Sequence, residues 1–140
     1  MATIRKEILT ASDPNAVWEA IRDIGALHTR LVPGFVVDTK LAPGERIVTF
    51  ANGMVVRELI VSLEEEEKRL VWSAISDRLT HHNASVQVFS GENGGTIDRG
   101  SRVVWIADIL PNEAASAIDG MMEHGKNAMK SALDSLATNT

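Results

Sequence analysis

Residues 111–136, PNEAASAIDGMMEHGKNAMKSALDSL, carry Ala114, Ile118, Met121, Met122, Gly125, Met129, Ala132, Leu133 and Leu136 on one stripe. Glu113, Asp119, Glu123, Lys130 and Asp134 fall mostly elsewhere, so the spacing predicts one long amphipathic helix. Such a helix must bury its stripe against a second layer. The residues that precede it decide what that layer is.

From residue 35 to residue 108 helical periodicity gives way to short β-branched runs separated by turn residues. Strands are expected at 35–41, 46–50, 54–63, 69–76, 83–90 and 101–108. The breaks are Ala42-Pro43-Gly44-Glu45, Ala51-Asn52-Gly53, the acidic run from Glu64 to Glu67, the segment from Asp77 to His82, and a glycine-rich stretch from Gly91 to Gly100 read as a mobile hairpin. Connections this short force antiparallel neighbours, because a parallel crossover needs a dozen or more residues. Further upstream, Ile4, Ile8 and Leu9 suit a first strand over residues 1–9. Ser12-Asp13-Pro14 then offers capping oxygens and a proline suited to a first helical turn, with Val17, Trp18, Ile21 and Ile24 at helical spacing. Gly25 interrupts, and residues 26–31 can form a second short helix before Pro33-Gly34 ends it. No linker or internal repeat divides the 140 residues, so one domain over 1–140 is expected.

Composition narrows the function. Hydrophobic residues make up 44% and charged residues 24%, which is ordinary globular usage. A net charge of -5 with scattered basic residues argues against a nucleic-acid partner. With no cysteine, disulfides, thiol nucleophiles and cysteine-ligated zinc are excluded. The start of the chain lacks a signal-peptide pattern and no stretch has the length of a membrane span, so a cytoplasmic protein is expected. No HExxH motif, acidic calcium loop or P-loop occurs, and neither a metal nor a cofactor is expected.

Several segments in this order resemble the SRPBCC superfamily, the START-related, polyketide cyclase/dehydrase-like proteins of helix-grip fold. They are Ser12-Asp13-Pro14 with Val17-Trp18, then Val32-Pro33-Gly34, Arg57-Glu58, Lys68-Arg69-Leu70-Val71-Trp72-Ser73, and the run from Val104 to Pro111. The resemblance covers nearly the whole chain. It implies an α+β fold in which a curved seven-stranded antiparallel sheet (β-α-α-β6-α) wraps a long C-terminal helix around an internal cavity. It also implies a small hydrophobic ligand, lipid-like or polyketide-like, without naming one. Asp77-Arg78-Leu79 is similar to the latch loop of the family's plant hormone receptors, but Ala51-Asn52-Gly53 is far shorter than their gate, which disfavours hormone reception.

Strands alternate faces, so the family pattern fixes a set of inward residues. On the strands these are Glu58 and Ile60, Trp72 and Ala74, then His82, Ala84 and Val86, and finally Val103, Trp105 and Ala107. Ile118, Met121, Met122, Gly125 and Met129 meet them from the helix, with Gly125 leaving a notch and the thioethers an adaptable lining. The same methionine stripe also suits a solid core. Arg57, Asn83, Ser85 and Gln87 then face solvent. An inward Glu58 must pair with a cation or take up a proton, and it can orient a ligand or act as an acid or base. His81 and His82 point to opposite faces of a strand, so only His82 is a pocket candidate. His28 and His124 read as surface or rim residues.

Three functions follow. The first is a small-molecule binding or carrier domain oriented by Glu58 and His82. The second is a polyketide cyclase or dehydratase in which Glu58 or His82 moves protons. The third is an interaction module or homodimer using an outward patch of Leu59, Val61, Val104 and Ile106.

Overall fold

The computed structural model describes residues 2–91 and 100–138. The chain opens with β1 (Ala2–Thr10) and α1 (Pro14–Arg22), followed by a 3-10 turn (Ile24–Ala26) and a single π-helical turn (Leu27–Leu31). Six strands come next: β2 (Val36–Ala42), β3 (Glu45–Phe50), β4 (Val55–Glu64), β5 (Arg69–Ile75), β6 (His81–Ser90) and β7 (Ser101–Leu110). A 3-10 turn (Asn112–Ala114) leads into α2 (Ala115–Thr138). The element order is the one the sequence predicts. β6 starts at His81 and β7 runs to Leu110, each two residues beyond its expected end. Residues 92–99, most of the segment expected to be a mobile hairpin, lie outside the described residues.

All seven strands form one antiparallel sheet in the order β1-β7-β6-β5-β4-β3-β2. The sequence-adjacent strands from β2 to β7 are spatial neighbours, and β1 joins through β7. Bulges interrupt the pairing between Val36 and Asp38 and between Ile60 and Ser62, and bulges of this kind bend and twist a strand. The sheet curves, and α2 lies against its concave face with Met122, Gly125, Met129 and Leu133 buried.

Local chemistry explains the ends of the helices. The Asp13 carboxylate accepts the Asn15 N–H at 2.9 Å and Pro14 occupies the first turn of α1. Val17, Trp18, Ala20 and Ile21 form the buried face of α1. Ser12 turns away from the cap and donates to the Leu133 carbonyl at 2.5 Å, tying the start of α1 to α2. Glu65, expected as part of a solvated turn, accepts Trp18 Nε1 at 2.7 Å and Arg22 Nη2 at 2.6 Å. The β4–β5 hairpin is thereby pinned to α1.

The outer sheet face does not carry the patch expected of Leu59, Val61, Val104 and Ile106. Val104 is 7% exposed although it lies on that face, between Glu7 on β1 and Gln87 on β6. Leu59 and Val61 are exposed, but β5 and β6 stand between their strand and β7. The four side chains are two separate groups, because neighbours on one face must also be neighbours in strand order. No helix among the described residues is long and apolar enough to cross a membrane.

Candidate ligand cavity

Between the concave face, the short helical turns and residues 118–129 of α2 lies a cavity of about 140 Å³. This is close to the ~150 Å³ at which an apolar cavity takes up one benzene-sized molecule. Its wall is mainly apolar: Leu27, Leu31 and Val32 from the helical turns, Val36, Val56, Leu70 and Trp105 from the sheet, and Ile118, Met122 and Met129 from α2. A more open vestibule of about 400 Å³ adjoins it, bounded by Pro33, Gly34, Ala51, Asn52, His124 and Ala128. Phe35, Phe50 and Met121 line both spaces. The two phenylalanine rings meet edge to face, with centroids 5.2 Å apart.

Of the inward residues expected from the sequence, Glu58, Trp72, Ala74, His82, Val86, Trp105 and Ala107 line the cavity, as do Ile118, Met121, Met122 and Met129. Four others do not. Ile60 is half-buried and packs against the core at the β4 bulge, outside the cavity lining. Ala84, between Trp72 and Ala107 in the sheet, is a methyl group sealed in the core. Val103 is fully buried and pairs with Ile8 and Val88, away from the opening. The notch at Gly125 is filled by protein: a Cβ there would stand 2.8 Å from Trp105 Cη2 and 3.0 Å from Phe35 Cε2. The glycine lets two rings close on the helix and leaves no room for a ligand.

The ionisable side chains at this wall are Arg46, Glu58 and His82. Arg46 Nε donates to Glu58 Oε1 at 2.8 Å, with the two side chains only 3% and 9% exposed. The guanidinium also reaches the Ile24 carbonyl through Nη1 at 3.4 Å and lies 5.5 Å from the centroid of Trp72. Glu58 thus meets its need for a cation, which is the pairing half of the expectation. Arg46 itself was not anticipated, although a signal for it existed. The Ala51-Asn52-Gly53 turn centres the β3–β4 hairpin on Asn52 and so sets Arg46 directly across from Glu58. An opposite-charge pair at a predictable cross-strand position points to a shared face.

His82 is held by the sheet. Past the Trp72–Ala84 pair the β5–β6 ladder ends, and the Ala74 N–H donates to His82 Nδ1 at 2.9 Å while Ser73 Oγ donates to the His82 carbonyl at 2.6 Å. Because Nδ1 accepts, the neutral ring carries its proton on Nε2. Burial and the neighbouring His81 hold its pKa below the usual histidine value, which favours that neutral form. Arg46, Glu58, Ala74 and His82 stand side by side on four successive strands, so the polar groups form one band across a greasy wall. Among the described residues no buried side-chain nitrogen or oxygen lacks a partner. Glu58 Oε2 and His82 Nε2, which bond to no protein group, therefore touch open space.

Comparison with known proteins places this architecture. The protein XoxI from Bacillus cereus superposes with a TM-score of 0.82 at 20% identity, covering 95% of this chain and 96% of that one. A START superfamily protein from Mycobacterium smegmatis gives 0.74 at 12% identity, covering 96% and 98%. Norcoclaurine synthase from Thalictrum flavum, solved with dopamine and hydroxybenzaldehyde, gives 0.70 at 15%, covering 99% and 87%. A search of curated protein sequences finds no match. The α+β helix-grip fold of the SRPBCC proteins is shared by all three structures. A family model described as polyketide cyclase / dehydrase and lipid transport matches residues 1–140, and the chain belongs to that family.

Proposed function

We propose that this protein binds a small, mainly apolar molecule in the cavity between the sheet and α2, as a carrier or binding protein. The observation that carries the reading is an apolar space whose ionisable groups are already reconciled: Arg46 with Glu58 as a neutral pair, His82 as a fixed neutral donor. Apolar burial supplies affinity at about 25 cal/mol per Å², and a few polar groups set orientation.

Acid–base catalysis draws less support from this geometry. Proton uptake at His82 is opposed by burial and by the Ala74 N–H at Nδ1, and Glu58 is engaged by Arg46. The test is a titration with toluene, followed through the indole and methyl resonances of Trp72, Trp105 and Met122. Saturable shifts confined to cavity residues, and their loss in a Met121→Trp variant that fills the junction with the vestibule, are the expected result. Shifts absent at toluene saturation overturn the reading.

A further inference from the structure

Glu58 and His82 flank Ala74 in one cross-strand row, on β4, β5 and β6. Strands lie about 4.8 Å apart, so the two outer residues of such a row are separated by about twice that, with only a methyl group between them. Glu58 Oε1 is occupied by Arg46, which leaves Oε2 as an acceptor. His82 Nδ1 is occupied by Ala74, which leaves Nε2–H as a donor. Both side chains line the cavity, and Glu58 is 7% exposed. An acceptor and a donor thus line the cavity on either side of Ala74, with the small gap above its methyl group between them.

We propose that this gap is a seat for a hydroxyl group, so that the cavity selects an apolar molecule bearing one hydroxyl at its buried end. A hydroxyl donates one hydrogen bond and accepts others, which matches one free carboxylate oxygen beside one fixed N–H. A carboxylate ligand would meet Glu58 with like charge, and an ammonium ligand would meet the His82 N–H and the Arg46 guanidinium. A purely hydrocarbon ligand would leave both polar atoms without a partner, at a cost that a site built to hydrogen-bond a substrate turns into selectivity. The inference rests on the binding function proposed above and goes beyond it by naming the polar group recognised.

Phenol and toluene differ only by hydroxyl against methyl, and both fit a space of this size. Titrations of the wild-type protein, read by calorimetry and by nitrogen-15 spectra of the histidine ring, separate the two levels of the reading. The expected result is tighter binding of phenol than of toluene by roughly 10- to 100-fold. The His82 Nε2–H resonance moves with phenol alone. Glu58→Gln keeps a partner for Arg46 but offers an amide, and His82→Leu removes the donor; each abolishes the preference for phenol over toluene. Equal affinity for the two probes, or a phenol preference unchanged in both variants, overturns the hydroxyl seat and leaves the cavity reading intact. Binding of neither probe overturns both. The wild-type comparison alone decides the matter if a variant fails to fold.

Discussion

Removing one half of the Arg46–Glu58 pair is the sharpest test of how the cavity wall is built. Both side chains are at least nine-tenths buried and meet at 2.8 Å, so Arg46→Met strands a buried carboxylate in a mainly apolar cavity wall. Breaking a buried pair from one side costs about 3–5 kcal/mol, whereas replacing both partners with apolar groups of similar volume is often close to neutral. Against a total stability of about 5–15 kcal/mol, the single change is a large fraction. The expected cycle in urea denaturation is therefore a loss of about 3–5 kcal/mol for Arg46→Met, a similar loss for Glu58→Leu, and a double variant near wild type. A stranded carboxylate is relieved by taking up a proton, so the Arg46→Met loss is greatest at neutral pH and shrinks towards about pH 4. Single variants within 1 kcal/mol of wild type, or a double variant as unstable as the sum of the two singles, refute the reasoning, where about 1 kcal/mol is the scale of an exposed pair.

Two glycines in α2 give opposite expectations. Gly120 has nothing within 4 Å of an added Cβ, so Gly120→Ala raises stability by about 1 kcal/mol through helix propensity, seen as a higher thermal midpoint. Gly125→Ala gains the same propensity but drives a Cβ against Trp105 and Phe35, and overpacking of about 1–3 kcal/mol outweighs it. His82 is depressed in the folded state, so the unfolded chain binds its proton first and stability falls as pH drops below about 6.5, levelling off only below the folded value. His82→Gln keeps an acceptor for Ala74 and flattens this part of the stability–pH curve; an unchanged slope would place its origin elsewhere. Leu133→Ala, at a fully buried site on α2, lowers the urea midpoint by the equivalent of about 2–5 kcal/mol, while Met121→Ala, half-buried at the junction of cavity and vestibule, costs far less.

The fold was legible because each of its parts has its own signal. A stripe at helical spacing ended the chain, alternating runs with breaks of three to ten residues preceded it, and antiparallel pairing followed from connections too short for a crossover helix. Strand alternation, anchored by the family resemblance, likewise put Glu58, Trp72, His82 and Trp105 on the inner face, where they line the cavity. What pattern could not supply was depth along the strand. Val103 faces inward as expected yet sits in solid core beyond Trp105, and Ala84 is buried although His82, Val86, Trp72 and Ala107 around it line the cavity. The role of Gly125 was misread because a missing side chain in the sequence does not say whether a ligand or a neighbouring ring takes its place. Phe35 and Phe50 escaped notice because they border turns, where alternation no longer assigns a face.

α2 divides between these two situations. Towards its C-terminus, Leu133 is sealed and its carbonyl is held by Ser12, while Ile118, Met121 and Met122 near the other end look onto open volume. Evolution can therefore treat the two halves separately. Drift at the half-buried 118 or 121 reshapes the cavity at smaller cost to folding than change at the buried Met122 or Leu133. Relatives with unrelated ligands would then keep a common grip while their chemical tastes diverge within one and a half turns of a single helix.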